Sequence, residues 1–361
     1  MDNTLRVHID FKSPYAYLAI EPTRQVAHAL GITIDWYPFV LDIPSYLGSA
    51  RLDSSGRVAE QSRSKDQWSG VKYAYYDCRR YANLRGLTIR GTEKIWDSNL
   101  AAIGMLWARR HSAEVLDRYI DGIYAPFWKR ELNIEDIAVI EQVLAQAGAD
   151  LHGFRAFAEG EGLRLNQQLQ IDAFDSGIFG VPTFQLGTEL YFGREHLPRV
   201  SWALQGRPGP GPDIANMLLP GDIIPRATTR LLEVGIDPED YQSQLAIPEI
   251  QRLENELEID LRWYAIAAHH PKATVARDDD SRGARHRRYR QANYERDALR
   301  YGRERTPAGA PLPDIRFAEP GAAADWAGAG KLGTPTFRLG EEVFAGRQHL
   351  PLIRAMLALR N

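Results

Sequence analysis

The sequence predicts an α/β protein made of two related units, the second shorter than the first. Residues 180–198 (GVPTFQLGTELYFGREHLP) recur without a gap as residues 333–351 (GTPTFRLGEEVFAGRQHLP), 153 positions later. Leu18-Ala19-Ile20 and Trp36-Tyr37 recur as Leu245-Ala246-Ile247 and Trp263-Tyr264, 227 positions later. Two segments that return in the same order indicate a duplicated unit. The difference between 227 and 153 means that the second copy lacks 74 residues between these anchors.

The beginning of the chain predicts strand, helix and strand. Val7, Ile9 and Phe11 alternate with more polar residues, as in a half-buried strand. Ser13-Pro14 supplies a helix cap and a first-turn proline, and Gly31 ends the helix. Residues 32–39 are β-branched and aromatic, so they should return to the sheet as a parallel neighbour of the first strand.

The remaining elements define the units. Residues from about 58 to 175 have a mostly helical pattern, with Asn133 as a predicted cap, and supply most of what the second copy lacks. Gly187-Thr188 predicts a hairpin, and a last helix should begin near Arg194. The proline- and glycine-rich residues 207–224 predict a linker. We therefore expect a first domain over 1–206 and a second over 225–361.

Composition excludes several classes of function. The 361 residues carry a formal charge of -3 and contain no apolar run of the roughly 18 residues that a membrane span needs. This favours a cytoplasmic protein that binds neither nucleic acid nor membrane. The single cysteine, Cys78, cannot form an internal disulfide. His269 and His270 are adjacent and would point to opposite faces of a strand, so no metal site is expected.

Four separated motifs over residues 5 to about 205 resemble one family. They are HIDFKSPYAYLA (8–19), Tyr73-x3-Asp77-x2-Arg80, FWKRELNIED (127–136) and FGVPTF (179–184). The first unit resembles a thioredoxin-like domain with the helical insertion of the DsbA superfamily. Within it, the motifs are similar to those of 2-hydroxychromene-2-carboxylate isomerases and kappa-class glutathione transferases. The resemblance implies a thioredoxin-like α/β fold with a DsbA-type insertion, followed by a second thioredoxin-like unit that lacks most of it.

The resemblance implies that Ser13 is the catalytic residue and that glutathione is the cofactor. Redox members begin the first helix with Cys-x-x-Cys, where this chain has Ser13-Pro14-Tyr15-Ala16. A hydroxyl at this place can donate a hydrogen bond to a glutathione thiolate, assisted by the positive end of the helix. From residue type alone, Ser13 as a simple helix cap is the more common alternative.

The resemblance also implies how glutathione is bound. The family's proline before the hairpin is cis, so Val181, which precedes Pro182, is expected to pair with the cysteinyl part of glutathione. Pro335 in the second copy should be cis as well. Arg194-Glu195 occupies the place where the family holds the γ-glutamyl end, usually with a Ser-Asp pair. Because Arg194 recurs as Arg347, the repeat favours a capping or packing role for it over the binding role that the resemblance implies.

A second pocket would hold the substrate that accepts the glutathione sulfur, and fewer sequence features indicate it than indicate the glutathione site. Tyr15, Tyr46, Trp68 and Asn99 are its candidate residues, although aromatic residues in such segments more often belong to the core. The family's Gly-Gly turn after the second strand is absent here, which indicates a differently shaped pocket.

The second unit departs from the first where chemistry would occur. Ser13 corresponds to Asp240, whose carboxylate would repel a thiolate. The charged stretch 277–305 predicts a solvated helix or loop, with an anionic partner as the alternative. We expect a catalytically silent second unit that packs on the first within one chain, or a homodimer.

Two hypotheses of function follow. The first is a glutathione-dependent isomerase or transferase that acts on a small aromatic or unsaturated acid. The second is a non-catalytic binding or scaffold protein whose thioredoxin-like surface docks a peptide along the Val181 edge. Affinity for glutathione separates the two.

Overall fold

The protein consists of two compact units, Met1–Arg194 and Glu195–Asn361. The computed structural model describes residues 4–53, 55, 57–266, 281–301, 315–318 and 333–359. His269 and His270 lie outside the described residues, as do the two ends of the charged stretch 277–305. The division between the units falls before the predicted linker 207–224, so the predicted last helix of the first domain is counted with the second unit.

The first unit is built on a four-stranded sheet with the order β2-β1-β5-β6. Its strands are β1 (Thr4–Ile9), β2 (Thr33–Pro38), β5 (Thr183–Leu186) and β6 (Glu189–Phe192). β1 runs parallel to β2 and antiparallel to β5, and β5 forms a hairpin with β6. The predicted parallel crossover and the predicted hairpin are therefore both confirmed.

Helix α1 (Pro14–Leu30) makes the crossover between β1 and β2. Its ends follow the sequence signals. The Ser13 side chain caps the first turn, and Gly31 adopts φ 62°, the left-handed conformation in which glycine costs least. The apolar side of the helix, which includes Leu18 and Val26, is buried. This arrangement fixes the beginning of α1 at the end of β1.

The segment after β2 begins with a short helix and a hairpin. These are α2 (Ile43–Leu47), β3 (Ala50–Leu52) and β4 (Val58–Gln61), and β3 pairs antiparallel with β4. The prediction of a helical pattern from residue 58 is wrong for these first residues, because Val58–Gln61 pairs as a strand. Ser64 then opens α3 (Lys65–Leu84) with a capping box to Gln67.

The rest of the insertion is helical, as predicted. Its helices are α4 (Asn99–Arg109), α5 (Ala113–Trp128), α6 (Ile137–Ala147), α7 (Phe154–Glu159) and α8 (Glu161–Asp175). The predicted cap of α6 is wrong by three residues. Asp136 is the cap and accepts from the Ala138 amide at 2.9 Å, whereas the Asn133 side chain accepts from the Glu135 amide in the preceding turn.

Large aromatic side chains join the insertion to the sheet. Phe11, at the end of the β1 segment, is buried against Tyr119 and Tyr124 of α5. The Tyr124 hydroxyl donates to the backbone oxygen of Asp10 at 3.0 Å. A side chain at Gly104 would collide with the Tyr119 hydroxyl, so this glycine lets α4 and α5 approach closely. The turn between β1 and α1 is consequently supported by α5.

The second unit contains a sheet with the same strand order and directions as the first. The order is β10-β9-β7-β8, with β7 parallel to β8 and antiparallel to β9, which forms a hairpin with β10. Its elements are α9 (Leu197–Leu204), β7 (Leu231–Ile236), α10 (Tyr241–Leu257), β8 (Asp260–Ala265), α11 (Arg282–Tyr301), β9 (Thr336–Leu339), β10 (Glu342–Ala345) and α12 (Leu350–Ala358). Short 3₁₀ turns, Arg194–His196 and Arg347–His349, precede α9 and α12.

Both peptide bonds predicted to be cis are cis. These are Val181–Pro182 before β5 and Thr334–Pro335 before β9. In the part of the chain that the structure describes, no helix is both long and apolar enough to cross a bilayer.

His8 is a buried histidine of β1 that we expect to make the stability of the first unit depend on pH. The residue is 4% exposed in β1, and its Nε2 lies 3.3 Å from Gln185 Oε1. Burial lowers the pKa of His8 from 6.5 to about 4, so the folded chain keeps the ring neutral where the unfolded chain protonates it. The stability that this neutral ring contributes is present above pH 6.5 and is lost as the pH falls toward 4.

We therefore expect His8 to account for a loss of about 2 kcal/mol in the free energy of unfolding between pH 7 and pH 5. Denaturant titrations of wild type and His8→Phe at both pH values measure it, since phenylalanine cannot titrate. The drop should be smaller in the variant by that amount. An equal drop in both proteins would show that His8 is not the group responsible.

Candidate functional site at the start of α1

Ser13 lies at the junction of β1 and α1 and is only 5% exposed. Its Oγ accepts a hydrogen bond from the Ala16 amide at 3.2 Å, and its own amide donates to the Asp10 backbone oxygen at 2.9 Å. Capping uses the hydroxyl as an acceptor and leaves its O–H able to donate. The two roles that the sequence left open, helix cap and donor to an anion, are therefore chemically compatible.

Val181 lies at the same end of the sheet as Ser13. His8 pairs with Thr183 across β1 and β5, so the residues that follow β1 and those that precede β5 are at one edge. Val181 is 6% exposed, and neither of its backbone polar groups makes a hydrogen bond within the described residues. The oxygen of Pro182, in contrast, accepts from the Gly193 amide at 2.9 Å. The Val181 backbone thus retains the capacity to pair with an extended ligand.

Arg194 points into the first unit and forms a buried ion pair. Its Nη2 lies 3.4 Å from Asp77 Oδ2 of α3, and its guanidinium lies 4.0 Å from the centre of the Tyr81 ring and 5.8 Å from that of Tyr15. Burial lowers the pKa of the Arg194 guanidinium, and the Asp77 carboxylate raises it. The net shift of this pKa is upward. Asp77 also pairs with Arg80 at 3.0 Å.

The pairing favours a structural role for Arg194. A ligand carboxylate at this guanidinium would have to share it with Asp77. The repeat-related Arg347 is also buried and paired with carboxylates, which fits a packing role common to both units. In the sequence Asp77 and Arg80 belong to a motif without an assigned role, and their three-residue spacing is a local signal of the ion pair that they form. Glu195 is half-buried in the second compact unit, where its backbone oxygen accepts from the Ala215 amide at 2.8 Å.

The candidate pocket residues fall into separate groups. Tyr15 is half-buried in the first turn of α1, and burial raises the pKa of its hydroxyl well above the ordinary value. Tyr46 and Trp68 lie near the β3–β4 hairpin. The Gln67 side chain binds the Tyr46 backbone oxygen, and the Trp68 indole binds Gln61. The described contacts do not join these residues to Asn99.

Asn99 belongs to a chain of amide side chains that holds the segment after β2. Its Oδ1 accepts from Asn166 at 2.9 Å, and Asn166 accepts in turn from Gln170 at 3.0 Å. Gln170 then accepts from the Val40 amide at 2.7 Å. Asn99 also binds Asp97 through its side-chain and backbone nitrogens. These bonds position residues 38–40, which lie beside the end of β1.

Asp10 and Lys12 are charged, buried and close to Ser13, and sequence reasoning gave neither a role. The Asp10 carboxylate accepts from the amides of Leu41 at 2.8 Å and of Lys12 at 3.2 Å. Burial raises the pKa of Asp10, and the Lys12 ammonium opposes the shift. In the sequence these two residues flank Phe11 as the polar members of an alternating pattern, which does not indicate that they are buried.

The corresponding place in the second unit is filled by its own side chains. Asp240 caps α10 by accepting from the Ser243 amide at 3.2 Å. The same carboxylate oxygen accepts from the Thr334 hydroxyl at 2.5 Å, and Thr334 precedes the cis proline. A negative charge therefore occupies the place where the first unit has a neutral hydroxyl.

Comparison with known proteins gives one family. Residues 4–205 match the model of the DSBA-like thioredoxin domain. A 2-hydroxychromene-2-carboxylate isomerase of Pseudomonas putida is 24% identical over 193 residues, which cover 53% of this chain and 88% of the relative.

Two solved structures are similar to part of the chain. A 2-hydroxychromene-2-carboxylate isomerase structure is 22% identical, with a TM-score of 0.44, over 56% of this chain and 95% of its own. The cytosolic disulfide reductase DsbM of Pseudomonas aeruginosa with GSH is 18% identical, with a TM-score of 0.38, over 52% of this chain and 88% of its own.

Proposed function

Because the chain belongs to the DSBA-like thioredoxin domain family, with the thioredoxin fold of that family in its first unit, we propose that this unit binds glutathione at the start of α1. The proposed activity is isomerisation of, or transfer to, a small aromatic or unsaturated acid. The observation that carries the proposal is the buried Ser13 hydroxyl, which caps the helix and keeps a proton to donate. Relatives named as isomerases support it, and a relative described as cytosolic supports a cytoplasmic location.

Disulfide exchange, the chemistry of the redox relatives, does not fit this chain. Cys78 is the single cysteine and is buried in α3. Burial raises the pKa of its thiol, which makes it a poor nucleophile. A thiolate for catalysis must therefore come from a bound thiol. Ser13 and the positive end of α1 would favour the ionised form of that thiol.

In the isomerase version, bound glutathione would supply a thiolate that adds reversibly to a conjugated carbon of the acid, so that the former double bond could rotate before elimination restored it and released the thiolate. Ser13 would stabilise the thiolate before addition and after elimination. In the transferase version the adduct is protonated or loses a leaving group. The Val181 backbone would orient glutathione for either reaction.

We further propose that the second unit is a shortened, catalytically silent copy of the first. The common strand order and the cis proline in the same place support the duplication. Asp240 supports the loss of activity, because its carboxylate already binds Thr334 and Ser243 and would repel a thiolate.

A second candidate function is docking of a peptide without catalysis. The unpaired backbone groups of Val181 favour it, since an extended peptide can bind such groups as a strand does. Glutathione is itself a short peptide with one thiol. Docking and catalysis therefore differ in whether the thiol contributes to affinity.

Calorimetric titration with glutathione, and with the analogue that has serine in place of its cysteine, tests the proposal. We expect the full chain to bind glutathione and to bind the hydroxyl analogue at least about 10-fold more weakly, since only the thiol ionises near neutral pH. Ser13→Asp should abolish binding while it keeps a capping oxygen. Equal affinity for both peptides would favour docking, and binding of neither would refute a glutathione site.

A further inference from the structure

Residues 42–76 form an ordered arm of the first unit, and its described residues lie outside the buried core. The arm comprises α2, the β3–β4 hairpin and the first part of α3. Leu41 before it and Asp77 after it are buried, but none of the described residues from 42 to 76 is. An isolated two-stranded hairpin is at best marginally stable in water. The arm is therefore a segment of low local stability that is free to move relative to the core.

The arm carries apolar side chains at its surface. Val58 of β4 is 46% exposed, and Tyr76 of α3 is 39% exposed. Other apolar residues of the arm are half-buried: Ile43, Tyr46, Leu47, Trp68 and Val71. Apolar side chains grouped on one exposed segment mark binding surfaces, whereas single ones are ordinary.

The first end of the arm is attached to the turn before α1. The Leu41 amide donates to Asp10 Oδ2 at 2.8 Å, and the Asp10 backbone oxygen accepts from the Ser13 amide at 2.9 Å. One residue earlier, the Val40 amide donates to Gln170 of α8 at 2.7 Å. The chain thus enters the arm from a fixed point next to Ser13.

The second end of the arm also returns to α1. Helix α3 packs against α1, and Asp77, its first buried residue, lies 3.4 Å from Arg194. The Arg194 guanidinium lies 5.8 Å from the centre of the Tyr15 ring in the first turn of α1. The arm therefore leaves and rejoins the core beside the turn that carries Ser13.

Bonds within the arm join its parts into one body. The Gln67 side chain of α3 donates to the Tyr46 backbone oxygen of α2 at 3.2 Å. The Arg63 guanidinium donates to the Leu47 backbone oxygen at 3.1 Å and lies 5.1 Å from the centre of the Trp68 ring. A segment that is linked internally and anchored at both ends can move as a unit, as lids over active sites do.

We infer that the arm closes over the start of α1 when ligand is bound and buries the aromatic or unsaturated body of the acid against its own apolar side chains. The inference rests on the proposed function and names the part of the chain that selects an acid with an apolar body. Such a body supplies the apolar surface that the arm lacks in the free chain. Closure would also keep water away from the thiolate.

Trypsin digestion of the full chain, with the fragments identified by mass spectrometry, tests closure. Arg51 and Arg57 in the hairpin are exposed, and Arg226, exposed before β7, is the control site in the same chain. S-benzylglutathione presents glutathione and an aromatic group in one molecule. At a concentration that calorimetry shows to be saturating, we expect it to slow cleavage at both hairpin sites by at least about 10-fold and to leave cleavage at Arg226 unchanged. Glutathione alone, which lacks the aromatic group, should have a smaller effect.

A shortened arm provides an independent test. Ser49 and Ser62 pair at the base of the hairpin, where the Ser62 amide donates to the Ser49 backbone oxygen at 2.9 Å. A Gly-Gly turn can therefore replace residues 50–61. By calorimetry, the shortened chain should keep most of its affinity for glutathione and bind S-benzylglutathione about 10-fold more weakly than wild type, because less apolar surface is buried.

Three results would contradict these expectations. If saturating S-benzylglutathione does not slow cleavage of the hairpin, the inference is overturned and the proposed function stands. Protection that depends on protein concentration and not on ligand would show that a second copy of the chain covers the arm, which overturns the inference as well. If wild type binds neither compound, the proposed function is refuted, and the inference fails with it.

Discussion

Replacing Ser13 by alanine should lower turnover by about 10- to 1000-fold, the range seen when one hydrogen-bond donor to a reacting anion is removed. The hydroxyl sits at the positive end of α1 and is buried, so water cannot replace it as a donor. Steady-state rates with glutathione saturating measure the loss. A shift of the thiol pKa of bound glutathione toward its value in water, followed by the absorbance of the thiolate, should accompany it.

The cap that Ser13 provides must be separated from its proposed role as a donor. Alanine also removes the Oγ that binds the Ala16 amide, which costs about 1 kcal/mol of stability. Ser112 is a matched control. It caps α5 through a bond of the same length, 3.2 Å, to the Val115 amide. Ser112→Ala should lose similar stability and keep its activity. Equal activity of Ser13→Ala and wild type would remove Ser13 from the mechanism.

The sequence predicted those parts of the fold that depend on local signals. Alternation around Val7, the Ser13-Pro14 cap and Gly31 are each encoded within a few residues. The hairpin and the proline that precedes it are also local, and the residues that predict them occur twice in the sequence, at 180–198 and 333–351. Predictions of this kind hold because neighbouring residues decide the backbone conformation.

The contacts that shape the candidate site depend on residues far apart in the chain. The sequence predicts either packing or glutathione binding for Arg194, and the structure pairs it with Asp77, 117 residues away. Nothing near either residue in the sequence indicates the partner. The chain of amides from Asn99 to Val40 likewise crosses two helices and a loop. Side-chain pairing of this kind follows from tertiary packing, which periodicity does not reveal.

The proline-rich stretch before β7 shows the same limit. Its composition predicts a linker, and between α9 and β7 it forms no helix or strand. Its Asp213 is nevertheless bound to two arginines of the second unit, Arg199 and Arg347, at 3.4 and 3.2 Å. Pro212 adds its backbone oxygen to Arg199. The stretch is therefore packed by specific ion pairs as well as connecting two sheets.

These ion pairs centre on Asp297 of α11, which is 3% exposed. Its Oδ1 accepts from Arg199 and, at 2.9 Å, from Arg347. The side chains of the two arginines are 6% and 1% exposed, respectively. Asp213 is more exposed than Asp297 and cannot alone neutralise two buried guanidinium groups. Asp297 thus provides the more deeply buried of the two carboxylates that balance Arg199 and Arg347.

Asp297→Ala should therefore destabilise the second unit by about 3–5 kcal/mol, the cost of removing one partner from a buried ion pair. Urea titration that follows each unit with its own spectroscopic probe measures the change, because a chain of two compact units need not unfold in one step. Glu249→Ala is the control. It removes a carboxylate that also binds two arginines, Arg252 and Arg354, but in partly exposed pairs, for which about 0–1 kcal/mol is expected. Asp297→Ala could lower the free energy of unfolding by no more than this control does. That result would show that the bonds from Asp297 to Arg199 and Arg347 stabilise the unit no more than a surface ion pair.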